Sequence, residues 1–308
     1  MSGWALDALI VALLGGLALW ATIARETFAA IVAFIAFGLL ASLAWVRLGG
    51  IDVALTEAAI GGGATGVLML QAAARLGTDA EPARPGVMQR TLAAALCTLV
   101  AGGLGWVVLN APTPFPSLAP AAMAHLSPSG LENPVAGVLM TYRAVDTLLE
   151  AIVLAFALLG VWAVGDAAGW GGVPVVPGQS GSDATLALAA RALIPIGIVL
   201  GIYIAWIGSF APGGKFQAGT VLAAMWLLAW RAGLMPPPPV AARWLRWALV
   251  AGPLLFLAIG LAGIPLAGAF LAYPDGGAKP LILAIEAAMT ISVAVGLAMM
   301  LAGPAAVR

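Results

Sequence analysis

Two carboxylates, Asp52 and Glu57, stand at the start of a membrane-length apolar segment that opens Ile-Asp-Val-Ala-Leu-Thr-Glu-Ala-Ala-Ile. A carboxylate inside a bilayer costs about 2.5–3.5 kcal/mol even on lenient insertion scales, so a chain that keeps one usually handles protons or cations with it. Asp52 and Thr56 share a helix face, and Glu57 lies roughly 140° around the helix from Asp52. Asp52 is then either a helix N-cap or a path residue, and Glu57 either a neutral packing residue or an exchangeable acid.

Glycine follows these acids at positions 61, 62, 63 and 66. One interpretation is close helix packing, because small residues let two backbones approach. The other is a π-bulge, a local widening of the helix that can rearrange. Both interpretations fit the sequence.

A second charged group occupies residues 143–150. Arg143, Asp146 and Glu150 are spaced i, i+3 and i+7, so in a helix they share one face, on which Arg143 can neutralise Asp146. The pair either holds helices together or tunes Glu150, the deepest of the three, as an exchangeable acid. The proline of Glu-Asn-Pro, just upstream, favours a short half-helix over 133–142.

Two more charges lie far along the chain. Lys215 stands in a glycine-rich hairpin that fails as a phosphate loop, because Phe216 follows where Ser or Thr is needed. Lys215 either snorkels to the membrane surface or partners a carboxylate on another segment or subunit. Glu286 is a lone acid in an apolar stretch and hence a candidate path residue, unless it pairs with Lys279 seven residues earlier.

Helices must position these residues, because the 308-residue chain is 63% hydrophobic and only 8% charged. Such a composition identifies an all-α polytopic membrane protein. We expect about nine transmembrane helices, at 4–23, 27–46, 52–74, 91–110, 144–165, 186–207, 216–232, 244–264 and 280–302.

Basic residues predict the orientation, with the N-terminus out and the C-terminus in. Placing the 75–90 loop in the cytoplasm puts nine of the thirteen basic residues inside, namely Arg25, Arg75, Arg84, Arg90, Arg191, Arg231, Arg243, Arg246 and Arg308. The long loops divide the chain into segments 1–90, 91–170 and 171–308.

Several function classes have no support in the composition. The net charge is zero, which gives nucleic-acid binding no electrostatic basis. One cysteine and one histidine, Cys97 and His125, exclude an internal disulfide and a cysteine-based metal site. We therefore expect a transport subunit without a catalytic cofactor or metal, rather than an enzyme by itself.

Three segments together resemble the Mrp-type multisubunit sodium/proton antiporters and the related module of membrane-bound hydrogenases. Residues 52–61 resemble the small D-type hydrogenase protein and part of the C-terminal extension of the large A-type Mrp protein. Arg143…Asp146-Thr147…Glu150 resembles the E-type segment. The run Ala-Pro-Gly-Gly…Phe-Gln…Gly at 211–219 resembles the B-type Mrp protein. The resemblance implies a natural fusion of three, two and four spans, whose first five also resemble the J-type component of respiratory complex I, with its distorted third helix.

The chain departs from this family at a few positions. Thr141 stands where the family usually has Asp, and Leu149 replaces a glycine. Ser209 and Phe210 stand where the B-type protein commonly has His-Asn, and Lys215 replaces another glycine. These departures weigh against a histidine-dependent proton step and against a sodium site that needs every family acid.

The resemblance implies a multi-pass subunit of the bacterial inner membrane that helps couple proton and sodium movement. Its expected partners are antiporter-like subunits, small C-, E-, F- and G-type subunits and the lipid bilayer. The predicted path residues are Asp52, Glu57, Arg143, Asp146, Glu150, Lys215 and Glu286. One alternative is an ion-translocating arm of a complex-I-related enzyme, such as a hydrogenase or another redox- or carbon-related complex. The remaining alternatives are a structural scaffold and a self-sufficient transporter. The transporter alternative is the weaker one, because the sequence shows no inverted repeat with paired broken helices.

Overall fold

The computed structural model describes residues 3–76, 86–165, 171–174 and 184–305. Within these ranges the chain is helical and has no named β-strand. Eight of the described helices are long and apolar enough to cross a membrane: α1 Gly3–Ile23, α2 Thr27–Arg47, the broken helix Ile51–Ala74, α5 Val87–Leu109, α8 Ala144–Ala163, α9 Ala184–Ile207, α11 Arg243–Ala267 and α12 Ala278–Ala302. The expectation of an all-α, multi-pass membrane protein is confirmed.

The ninth predicted span is the helix α10, Lys215–Arg231, which has 17 residues and a charge at each end. It is shorter than the eight others, yet the loops indicate that it also crosses the bundle. The turn at 208–214 lies against Asn133, whereas the Val240 amide, just after α10, donates to the Gly172 carbonyl at 2.8 Å. Asn133 and Gly172 flank opposite ends of α8, so within the described residues the two ends of α10 also lie at opposite ends of the bundle.

The third span is a helix in three parts. It begins as α3, Ile51–Thr56, widens into a π-helix at Glu57–Ala64, and continues as α4, Thr65–Leu76. The π-bulge interpretation of the glycine run is confirmed, and close packing occurs there as well. A Cβ atom added to Gly38 of α2 would lie 3.0 Å from the Gly62 Cα, so the two backbones touch.

The predicted half-helix before α8 is also present. It consists of α7, Pro134–Gly137, and a π-helical turn, Val138–Tyr142, and it is preceded by the short helices α6, Ala119–Ala124, and Ser127–Ser129. Asn133 caps α7, because its Oδ1 accepts from the Val135 amide at 2.9 Å. The break at the end of the π turn leaves carbonyls free, and the Thr147 hydroxyl donates to one of them, that of Leu139, at 2.8 Å.

The orientation of the termini stays a prediction. Two arginines that it counts, Arg84 and Arg308, lie outside the described residues, and so does the predicted boundary at 170. The division into three segments likewise stays a prediction.

The most buried helix is α12, and α11 packs on it with almost no space between the backbones. A Cβ atom on Gly252 would lie 2.7 Å from the Met289 Cα. Beside this contact the Ser292 hydroxyl enters the hydrogen-bond ladder of α11: it donates to the Ala248 carbonyl at 2.8 Å and accepts from the Gly252 amide at 2.9 Å. This contact sets the position of α12 one turn beyond Glu286.

We expect Gly252→Ala to lower the stability of the chain by about 1–3 kcal/mol, because the added methyl group meets main chain that cannot rotate away. The control is Gly103→Ala on α5, where a Cβ atom meets nothing within 4 Å and alanine favours the helix. Thermal unfolding in detergent compares the two. Equal melting temperatures for both variants would show that the α11–α12 contact is looser than described.

Candidate functional site

One cavity of about 510 Å³ gathers four of the seven predicted site residues. Asp52 reaches it from α3, Glu150 from α8, Lys215 from the first turn of α10, and Glu286 from α12. The half-helix α7 supplies part of its apolar wall. Glu57, Arg143 and Asp146 are not among its lining residues.

Lys215 is buried, with 4% of its surface exposed. Its Nζ lies 3.8 Å from the Met140 Sδ and 5.6 Å from the centre of the Phe216 ring. The carboxylates whose charges act on it are those of Glu286 and, more weakly, Glu150. The snorkelling interpretation is wrong: the turn at Gly213 and Gly214, both with positive φ, starts α10 inside the protein.

Glu286 is the buried acid of the cavity, with 5% of its surface exposed. Its Oε2 has no hydrogen-bond partner in the described part of the chain. The proposed pairing with Lys279 does not occur, because the Lys279 ammonium lies over the Phe210 ring, 4.3 Å from its centre. Lys215 and Glu286 therefore share a buried site without a direct ion pair among the residues described.

Glu150 is exposed and marks the mouth of the cavity. Arg143 and Asp146 form the predicted ion pair at 2.6 Å, but their side chains are 65% and 49% exposed. Neither residue lines the cavity, and Arg143 stands just before the first residue of α8. Such an exposed pair contributes little to stability in water, and in the membrane it faces lipid or another subunit.

Asp52 is not an N-cap, since Gly50 occupies that position of α3. Its Oδ1 instead accepts from the Gly213 amide at 3.0 Å and from the Asn133 Nδ2 at 3.3 Å. One carboxylate thereby joins α3, the start of the half-helix and the hairpin before α10.

Two side-chain amides that the sequence did not single out complete this three-way junction. The Asn133 Nδ2 also donates to the carbonyls of Gly208 and Ala211, at 3.0 Å each. The Gln217 Nε2 donates to the Thr56 hydroxyl at 2.8 Å. Asn133 lies in the Glu-Asn-Pro run and Gln217 in the Phe-Gln pair. In the sequence, the signal for each is an amide side chain at the start of a helix.

Glu57 lies apart from the cavity, on the π-helix and towards α2. Its carboxylate folds over Gly61, where no Cβ atom could be accommodated beside it, and lies near Gly38. No side chain in the described ranges hydrogen-bonds to it. The glycines thus give this acid a space of its own next to the widened helical turn. Within the described residues, no group of three or more His, Cys, Asp and Glu side chains is arranged to hold a metal.

Comparisons with known proteins find two family models in this chain. Residues 12–78 match MbhD, the family of the D-type component of MBH, and residues 185–304 match MnhB, a "domain related to MnhB subunit of Na+/H+ antiporter". No curated protein sequence gives a significant match.

Two solved structures share the fold. A chain from the structure of the Mrp complex from Dietzia sp. DQ12-45-1b is 26% identical, with a TM-score of 0.73 over 96% of this chain. This chain spans only 34% of that one. A chain of the membrane-bound sulfane sulfur reductase, an archaeal respiratory membrane complex, is 22% identical, with a TM-score of 0.56 over 70% of this chain and 97% of the other. This second likeness shows the fold alone.

Proposed function

We propose that this chain, an Mrp-type antiporter subunit that joins an MbhD-type segment to an MnhB-type domain in one polypeptide, carries protons in a sodium/proton antiporter module. The observation that carries the proposal is the buried Lys215–Glu286 pair in one cavity, with Glu150 at its mouth. Buried charges are expensive, and a chain that keeps two without a direct bond between them has a use for their protons.

The pair can pass protons one at a time. With one proton between them, Lys215 and Glu286 are neutral overall, either as ammonium and carboxylate or as amine and carboxylic acid. A second proton, arriving from Glu150, gives ammonium and carboxylic acid with a net charge of +1. Loss of one proton to the far side restores the neutral pair, so each step moves a single proton and no other atom.

The other predicted site residues take different parts in this proposal. Asp52 holds the junction that shapes the cavity, rather than exchanging protons itself. Glu57 is a separate exchangeable acid next to the π-helix, and the exposed Arg143–Asp146 pair tunes the contact of α8 with a neighbouring subunit.

The likeness to a chain of the Mrp complex supports a multisubunit assembly. We propose that antiporter-like subunits and small C-, E-, F- and G-type subunits assemble with this chain, and that the assembly lies in a bacterial inner membrane. The chain itself acts without a catalytic cofactor.

A second candidate is the ion-translocating arm of a complex-I-related enzyme. The match of residues 12–78 to the MbhD family favours it. Purification in mild detergent followed by mass spectrometry separates the two candidates. Co-purifying antiporter-like subunits alone indicate the antiporter, and an additional metal-cluster subunit indicates the enzyme.

Glu150→Gln tests the proposed path. We expect it to slow sodium-driven proton movement in everted vesicles by at least about tenfold, because the amide cannot relay a proton. Glu26→Gln, at the exposed start of α2, is the matched control and should transport like the parent protein. Full transport by Glu150→Gln in a normally assembled complex would refute this role.

A further inference from the structure

A second cavity, of about 200 Å³, lies beside the first at the end of the bundle where α6 and the α11–α12 loop meet. Its lining includes His125, Thr141, Tyr142, Tyr273 and Asp275, and we call it the loop cavity. His125 and Asp275 are exposed. The loop cavity therefore opens at the surface formed by these loops.

The wall between the two cavities is the π-helical turn Val138–Tyr142. Leu139 lines the large cavity, and Thr141 and Tyr142 line the loop cavity. Met140 between them is fully buried. A single turn of irregular helix thus separates the loop cavity from the large cavity that holds the buried pair.

Met140 contacts both sides of this wall. Its Sδ lies 3.8 Å from the Lys215 Nζ, and its carbonyl accepts a hydrogen bond from the Tyr273 hydroxyl at 3.1 Å. Tyr273 lines the loop cavity and is close enough to Glu286 for the two groups to interact electrostatically. Tyr273 therefore links the loop cavity to Met140, the residue that contacts Lys215 on the other side of the wall.

The chemistry of Tyr273 is suited to closing the passage between the loop cavity and the pair, rather than to accepting a proton as a base. Burial and the nearby Glu286 carboxylate raise the pKa of Tyr273 to about 12, so its hydroxyl keeps its proton at neutral pH. A phenol in that state donates to the Met140 carbonyl and leaves no charge in the passage. When the hydroxyl leaves that carbonyl, the π turn loses its outer support, and π-helical turns are frequent at functional sites.

We propose that the loop cavity is a second route, separate from the mouth at Glu150, by which water and protons exchange with the Lys215–Glu286 pair, and that Tyr273, resting on Met140, is the gate of that route. The proposal rests on the proposed function for its biological use but not for its test. It assigns a function to two residues, Tyr273 and Met140, that carry no charge.

Cysteine labelling tests the gate without any transport assay. In a Cys97→Ser background of the assembled complex, Leu139→Cys reports the large cavity and Thr141→Cys reports the loop cavity. A membrane-impermeant thiol reagent is added on the loop side. We expect Tyr273→Ala to raise the labelling rate of Leu139→Cys by at least about tenfold while Thr141→Cys labels rapidly with or without it.

Tyr273→Phe is the second variant, since it keeps the ring and removes only the hydrogen bond to Met140. We expect it to raise the labelling of Leu139→Cys by a smaller factor than Tyr273→Ala. Unchanged labelling of Leu139→Cys in both variants, with normal labelling of Thr141→Cys, would overturn the gate. Loss of transport in Glu150→Gln bears on the proposed function alone, so the two failures are distinguishable.

Discussion

Replacing Lys215 by Met and Glu286 by Gln in the same chain is expected to abolish proton-coupled transport while leaving the protein about as stable as its parent. Neither residue has more than 5% of its surface exposed, and the charge of each acts on the other. Exchange of a whole buried pair for well-packed hydrophobic side chains of similar volume is often neutral or stabilising, and Gln keeps the shape of Glu while removing its charge. The double variant thereby removes both exchangeable protons without leaving a lone charge in the core.

Each single variant is expected to behave differently. Lys215→Met leaves the Glu286 charge without its opposite, and Glu286→Gln leaves a buried ammonium with only the more weakly acting Glu150. Removing one partner of a directly bonded buried pair costs about 3–5 kcal/mol, which is an upper bound here because Lys215 and Glu286 form no direct ion pair. Both single variants should therefore unfold at clearly lower temperature than the double variant, and both should also fail to transport.

Melting temperature in detergent and sodium-driven proton uptake in vesicles are the two measurements. Transport by the double variant would remove the pair from the path. Single variants as stable as the double variant would show that the two charges do not interact. A scaffold role predicts a third pattern, with normal transport wherever the complex assembles.

The sequence was sufficient to predict the helices, because a bilayer imposes a length and a polarity on each span. All nine predicted segments are helices in the structure, and their ends differ by a few residues. The break in the third span is one of two interpretations that the sequence allows, because glycines after an acid are compatible with close helix packing and with a π-bulge. The structure shows both, with Gly38 against Gly62 at the widened turn.

The site was predicted less completely, because its partners come from distant parts of the chain. Lys279 was a reasonable partner for Glu286 by local spacing, but Phe210 holds its ammonium instead. Lys215 shares the cavity with Glu286 instead, because Gly213 and Gly214 turn the start of α10 inwards. Local spacing within one helix cannot reveal such a contact.

Neutral residues were missed for a different reason. Asn133, Gln217, Met140 and Tyr273 carry no charge, so a membrane segment can hold them without the cost that makes a carboxylate conspicuous. Their roles come from hydrogen bonds across the bundle, such as that from Gln217 to Thr56. Only the packed structure shows which backbone groups they satisfy.

Asp52→Leu is expected to lower the stability of the chain strongly, because it separates the three parts that meet at the junction: α3, the start of the half-helix and the hairpin before α10. The variant leaves the Gly213 amide and one Asn133 hydrogen bond without their acceptor. Hydrogen bonds to a charged acceptor contribute about 1.5–3 kcal/mol each, so we expect the loss of both to cost about 3–6 kcal/mol. Asp52→Asn retains one acceptor oxygen and should lose less.

Hydrogen exchange locates the damage that Asp52→Leu causes. The amides of the 208–214 turn should exchange faster, beginning with Gly213. Those of α12 beyond its first turn should keep their protection, because the turn contacts that helix at Lys279, whose ammonium lies over the Phe210 ring. Asn133→Ala removes the same junction from its other side, so the double variant Asp52→Leu/Asn133→Ala should lose less stability than the sum of the two single variants. Additive losses would mean that the two side chains act separately, and that Asp52 contributes to the cavity by its charge rather than by holding the hairpin that carries Lys215.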